Sequence, residues 1–325
     1  MSENFNALLD ALLDGESLSE RQAYDFMQAL AGGDMPAALA GAFLAALRAK
    51  GETAAEVRGF ATAMRELATR LAIPDGAPTV DTVGTGGDGS GSLNLSTGAG
   101  LLAAACGARV VKHGNRSISS KSGSADMLEH LGMPLPLHEK EAIACLEATN
   151  FTFLFAPAYH PAMKAVMPVR SAMAVRTVFN MLGPLTNPAA PPFQLIGAWS
   201  PDAAKLMADA LAGMAIERAF VVHGEPGWDE ATPVGEFSLF DVTPGDVTHA
   251  TRTPEDYGLT RCAPEDLAGG DAAHNAKELR RVFSGEDKGA HRDALLLGTS
   301  LVLEVQGSVA TPGEGVAMAA AALDN

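Results

Sequence analysis

The chain has 325 residues, 47% hydrophobic and 19% charged, and 39 acidic against 23 basic side chains give it a formal net charge of −16. That length allows a large core divided between two domains, and the acidic balance disfavours general binding to nucleic acid or an anionic membrane, although a local patch can run against the net charge. The first ten residues hold Glu3 and Asp10 but no basic segment, no apolar run reaches spanning length, and Cys106, Cys145 and Cys262 show neither zinc spacing nor a disulfide framework, so a protein of the reducing cytoplasm is expected.

Up to about residue 72 everything reads as helix. Phe5, Leu8, Leu9, Leu12 and Leu13 keep helical spacing, and Gly15 ends the run. Ser19 with Gln22 forms a capping box for a second helix that stops at Gly32-Gly33. Asp34 and Pro36 open a third helix closed by Gly51, and Thr53 with Glu56 caps a fourth. From Pro74 onward, strand candidates at 79–83, 108–111, 151–155, 194–199 and 219–222 alternate with helices. That alternation predicts an α/β architecture with a mainly parallel central sheet. A hairpin at 237–242 and 246–252 turns at Pro244-Gly245, and two helices near 276–282 and 292–305 close the chain.

Four segments carry candidate chemistry. Gly84-Thr85-Gly86-Gly87-Asp88-Gly89, followed by Asn94-Leu95-Ser96-Thr97, lies between the first strand candidate and a small-residue helix candidate at 98–106. Strand, glycine loop and helix start together make an anion cradle, because glycine lets backbone N–H groups turn toward a phosphate and the helix start adds its dipole. The spacing is neither that of a Walker loop nor the dinucleotide fingerprint, and a plain turn is the competing reading. The stretch from Arg109 to Lys121 holds four basic residues, His113 and no acid. It reads either as a solvated loop or as a ligand-facing strand end carrying Lys112, His113 and Asn115.

Asp229-Glu230 follows the strand candidate at 219–222; it is either a solvated acidic turn or a pair that joins a hard cation to substrate phosphates. Arg170 and Arg176 sit six residues apart. An arginine can grip a carboxylate in a bidentate fork, or pair with a neighbouring acid on a helix surface.

Four segments, 81–88, 112–117, 119–126 and 176–188, resemble the anthranilate phosphoribosyltransferase family, in its order and spacing and over nearly the whole chain. The resemblance implies a small helical domain of residues 1–72, joined by roughly 166–190, and an α/β domain of 73–325, with the ligand cleft between them and dimerisation through the helical part. It implies transfer of 5-phosphoribosyl from phosphoribosyl diphosphate to anthranilate in tryptophan biosynthesis, with Mg²⁺, two ions per active site, and no nucleic-acid or membrane partner. Gly84, Gly86, Gly87 and Asp88 would hold the diphosphate–ribose end of the donor, while Asn94, Ser96, Thr97 and Lys112 contact its phosphates. Gly84, His113, Asn115, Arg170, Gly183 and Pro184 would face anthranilate, with Arg170 on its carboxylate; Ser96, Asp229 and Glu230 would hold metal, and Arg176 would be structural. His113 has a second reading, as a packed strand-end histidine.

No side chain is expected to act as acid, base or nucleophile, since an aromatic amine is neutral near pH 7. Pro226 and Trp228 beside the acidic pair, Ser92-Leu93, Met173-Ala174 and Leu297-Gly298-Thr299 depart from the family's usual wording. A pyrimidine nucleoside phosphorylase on a related fold, or a non-catalytic nucleic-acid-binding relative, are the rival readings.

Overall fold

A computed structural model of the chain describes residues 4–117 and 121–324; Ser119 and Ser120 of the matching segment lie outside them. Four helices come first: α1 (Phe5–Leu13), α2 (Glu20–Gly32), α3 (Ala37–Lys50) and α4 (Ala54–Leu67). The capping boxes at Ser19/Gln22 and Thr53/Glu56 are both present, and Gly33 ends α2 in the left-handed conformation. Asp34 does not cap α3, because the N-cap is Pro36 and no side-chain bond closes it. Glu56 is fully buried, yet its oxygens accept from Leu18 N, Thr53 N and Lys50 Nζ, which satisfies the charge that burial would otherwise penalise.

The chain then alternates: β1 (Thr79–Gly84), α5 (Leu95–Ala105), β2 (Arg109–Gly114), α6 (Ser124–Leu131), α7 (Glu139–Thr149), β3 (Phe151–Phe155) and the short α8 (Ala156–Tyr159). Next come α9 (Met163–Met173), α10 (Phe179–Leu185), β4 (Phe193–Gly197), α11 (Pro201–Leu211), β5 (Arg218–Gly224), and the hairpin β6 (Phe237–Thr243) and β7 (Asp246–Arg252). Three helices follow, not the two expected: α12 (Ala272–Phe283), α13 (Ala290–Val305) and α14 (Pro312–Asp324).

The seven strands form one sheet in the order β3-β2-β1-β4-β5-β6-β7, parallel from β3 to β5 and antiparallel through the hairpin. Successive residues of β5 alternate between two cores, as a period of two requires. Phe220 and Val222 pack with α12 and α13, while Ala219 and Val221 join α11 and the N-terminal helices. The core of the N-terminal helices also takes in α9 and α10, which pack against α2, α3 and α4. Gly298 has a packing reason. A Cβ there would stand 3.0 Å from the Ala99 Cβ, so glycine lets α13 approach α5 closely.

Candidate active site

Strand order places the crevice. The chain winds outward through β1, β2 and β3, then restarts at β4 on the other side of β1, and such a reversal leaves an opening at the carboxyl ends of the strands. Gly84 and Gly197 are register partners there, and Gly224 ends the next strand. A Cβ at Gly84 would strike the Asp229 carboxylate, one at Gly197 the Asp229 carbonyl, and one at Gly224 the Glu230 carbonyl. Glycine at three neighbouring strand ends therefore lets the Asp229-Glu230 backbone lie across the crevice.

The glycine loop meets the same acids from the other side. Gly86 N donates to Asp229 Oδ2 at 2.6 Å, and Asp229 N donates to Asp88 Oδ2 at 3.3 Å. Ser96 N, in the first turn of α5, donates to Glu230 Oε1 at 3.1 Å, where the helix dipole also favours negative charge. The helix begins at Leu95 rather than near residue 98, so Ser96 and Thr97 belong to its first turn. Gly86, Gly87, Gly89 and Gly91 all hold positive φ, a sequence of conformations only glycine adopts cheaply.

Lys112 and His113 lie inside β2, not beyond its end as expected, and both are buried. The β1–β2 ladder stops at Val80↔Val110. Beyond it, side chains replace backbone pairing: His113 N donates to Asp81 Oδ1 at 3.2 Å, and Asn187 Nδ2 donates to Asp81 Oδ2 and to the Val111 carbonyl, each at 2.8 Å. Lys112 Nζ donates to the Thr82 carbonyl and to Ser96 Oγ at 3.4 Å. Burial lowers the Lys112 pKa, and Asp81, Glu230 and Asp229 oppose that. His113 Nδ1 stands 3.2 Å from the Gly183 carbonyl, which can only accept, so the proton sits on Nδ1. That leaves Nε2 as a buried acceptor without a protein partner. Burial drives His113 down to about 3 and the adjacent His160 down to about 4, so both rings are neutral at physiological pH.

Other expected contacts are distributed differently. Asn94 is committed to the protein: its Oδ1 accepts from Ser122 Oγ and Asn275 Nδ2, both at 2.9 Å, and its Nδ2 donates to the Ser122 carbonyl at 3.2 Å. Thr97 is buried and Asn115 exposed, with its Oδ1 accepting from Arg116 N at 2.7 Å. The basic stretch is not one positive surface. Arg109 pairs with Glu147 at 2.6 Å, and Arg116 with Asp126 at 3.0 Å and with Glu129, leaving Lys112 beside the acids. Arg170, on α9, lies half-buried over the Phe179 ring at 5.1 Å, and among the described residues no carboxylate pairs with it. Gly183 is exposed on α10 while Pro184 is buried beside it.

The acids fit a divalent cation. Burial, with Asp88 adding repulsion, pushes Asp229 up to about 7; burial, with Asp229 adding repulsion, pushes Glu230 up to about 8. Protein donors alone therefore leave these carboxylates short of positive charge. Asp88, Asp229 and Glu230 do not draw three oxygens within 4.8 Å of one another. That suits Mg²⁺, which takes one or two carboxylates and completes its shell with water and substrate phosphate. The one described cluster that does come so close, Glu278, Asp287 and His291, lies on α12, α13 and the turn between them, with Glu278 tied to Arg281 at 2.7 Å.

Family models give the lineage. Residues 76–325 match the α/β domain of a glycosyl transferase family, and residues 6–68 match its helical bundle domain. The chain is 46% identical to an anthranilate phosphoribosyltransferase of Rubrobacter xylanophilus over 96% of its own length and 90% of the relative's. It is 43% identical to one of Parvibaculum lavamentivorans, covering 99% and 94%. The chain belongs to the anthranilate phosphoribosyltransferase family.

Solved structures of anthranilate phosphoribosyltransferases agree. The enzyme of Thermus thermophilus superposes with a TM-score of 0.91 at 43% identity, covering 97% of this chain and 94% of that one. The enzyme of Saccharomyces cerevisiae, in complex with PRPP and Mg, superposes with a TM-score of 0.89 at 25% identity, covering 100% and 94%. Trp228, expected to depart from the family's wording, is buried in the core that also holds β5 residues Phe220 and Val222, and its backbone N–H donates to the Gly224 carbonyl at 2.8 Å. With Pro226 present, Asp229 still meets the glycine loop at Gly86 and Glu230 meets the start of α5 at Ser96.

Proposed function

We infer that this chain joins anthranilate to the 5-phosphoribosyl group of phosphoribosyl diphosphate, forming N-(5-phosphoribosyl)anthranilate and diphosphate in tryptophan biosynthesis. The observation that carries the reading is the meeting of a glycine cradle, a buried lysine and an acidic pair at one switch-point crevice. The difficulty in this reaction is departure of a highly charged diphosphate while positive charge grows on the ribose. The free backbone N–H groups of Gly87 and Asp88, the Lys112 ammonium and the start of α5 at Ser96 and Thr97 stabilise that charge. Asp229, Glu230 and the Ser96 hydroxyl would hold Mg²⁺, two ions in this reading, which neutralises the leaving group when bound. Arg170 grips the anthranilate carboxylate, and the Gly183-Pro184 turn, His113 and Asn115 position the ring.

We group residues 1–72 and roughly 166–190 as the helical part and 73–325 as the α/β part, and expect a homodimer through the former, where Leu13 is 67% exposed. No described helix is long and apolar enough to cross a membrane. We place the protein in the cytoplasm, in keeping with its three free cysteines. The pairing of Arg109 and Arg116 with acids argues against the nucleic-acid reading, and the acidic pair favours the transferase over a pyrimidine phosphorylase. Equal amounts of diphosphate released and anthranilate consumed would support the transfer; diphosphate release indifferent to anthranilate would contradict it.

Mg²⁺ activation should depend on pH. Both carboxyls must ionise to ligate, and with pKa values raised to about 7 and about 8, protons compete for them below that range. The Mg²⁺ concentration giving half-maximal rate should therefore rise as pH falls from about 8.5 to about 6. A half-maximal concentration that is flat across that window would remove these two carboxylates from the metal site.

A further inference from the structure

The Gly87 carbonyl is taken by Arg176, whose Nη2 donates to it. The peptide after Gly87 is trans, so the Asp88 N–H projects away from Arg176. Among the described residues no protein acceptor takes the N–H of Gly87, Asp88 or Gly89. The loop thus holds free donors on the side away from the arginine, at a place where an anion would use them.

Arg176 is itself held at two points. Its guanidinium lies 5.0 Å over the Trp199 ring, just beyond β4, and its carbonyl accepts from Arg48 Nη1 at 2.8 Å, in the last turn of α3. Ala174, with φ +50°, turns the chain out of α9 two residues before it. No carboxylate among the described residues pairs with the Arg176 side chain. An exposed arginine with no acid, laid on an aromatic face and bonded to one loop carbonyl, serves geometry rather than charge balance.

We propose that Arg176 is a positioning residue for the phosphoribosyl donor: it fixes the Gly87–Asp88 peptide so that the Asp88 N–H faces the donor's phosphates, with Arg48 on α3 setting its own backbone. A rigid cradle costs less ordering when the anion binds. The link also joins α3 to the loop through two arginines, Arg48 and Arg176. The donor's identity rests on the transferase reading; the role of Arg176 in shaping an anion cradle is tested without it.

The experiment compares wild type, Arg176→Ala, Arg176→Lys and Arg48→Ala. It reads KM for each substrate, and the affinity for inorganic diphosphate with Mg²⁺ by calorimetry. Arg176→Ala should weaken diphosphate binding and raise the donor KM about tenfold, the loss of one well-placed charged hydrogen bond. The anthranilate KM should stay within about twofold, since Arg176 touches no part of that path. Arg176→Lys, which keeps a donor but not the planar fork, should recover part of the loss. Arg48→Ala should shift the donor KM in the same direction by a smaller factor, and it reads the same link if Arg176→Ala does not fold. Unchanged diphosphate affinity and donor KM in the variants that fold, or an equal rise in both KM values, would overturn the proposal. If wild type bound diphosphate but left anthranilate unconsumed, the transferase reading would fall while the diphosphate comparison still judged Arg176.

Discussion

Changing Asp229 to Asn and Glu230 to Gln together should lower turnover at least about a hundredfold and remove the Mg²⁺ dependence of what remains. The double variant should nevertheless fold. Each amide keeps an oxygen that can accept from Gly86 N or Ser96 N, the bonds that hold the two carboxylates in place. Its stability should match or exceed that of the wild type in metal-free buffer. Both carboxyls have folded pKa values raised above the ordinary carboxylate range, so the native state keeps protons that the unfolded chain has released. Wild-type stability therefore falls as pH rises from that ordinary range through about 7 and about 8, and the amides carry no such dependence. Activity lost with Tm retained or raised at about pH 8.5 is the expected signature of a site kept for function against stability. Unchanged turnover and an unchanged Mg²⁺ requirement would take the pair out of the mechanism. A collapse of Tm would make it a structural one.

Arg170→Ala should raise the anthranilate KM by about thirtyfold or more while leaving the donor KM within about twofold. The guanidinium is half-buried over Phe179, and burial lowers its pKa. No acid among the described residues compensates it, which leaves a planar fork available to a carboxylate. Arg170→Lys should rescue little, because an ammonium cannot make the bidentate pair. Substrate analogues lacking the carboxylate should bind wild type and Arg170→Ala about equally, which separates loss of the ion pair from a shift of α9. An equal rise in both KM values, or full rescue by lysine, would count against Arg170 as the carboxylate contact.

Local chemistry is legible in the sequence wherever it is also local in space. Ser19 with Gln22 and Thr53 with Glu56 announce their helices because both partners sit within one turn. Pro244-Gly245 marks its hairpin for the same reason, with Gly245 at positive φ. The glycine run reveals a loop of unusual backbone, although its partner Asp229 lies 143 residues from Gly86. Long-range pairing explains most of what pattern misses. Pattern ends β2 before Lys112 because a lysine and a histidine look like a strand's exit. Inside the strand, the Thr82 carbonyl and Ser96 Oγ take the Lys112 ammonium, and the distant Gly183 carbonyl takes the His113 ring. Asn275 gives no signal at all, since nothing in α12 announces that its amide anchors Asn94. α14 is rich in alanine and has no sharp apolar stripe, so periodicity does not separate it from a tail. Gly298 reads alone as a weak point in a helix, and its purpose appears only once α5 lies against α13.

The most direct measurement follows anthranilate fluorescence in the presence of purified protein, phosphoribosyl diphosphate and Mg²⁺, with each component omitted in turn. Decay that requires both the donor and Mg²⁺ is the result this account predicts. Stable fluorescence from folded protein, accompanied by phosphate-dependent cleavage of thymidine or uridine, would contradict it.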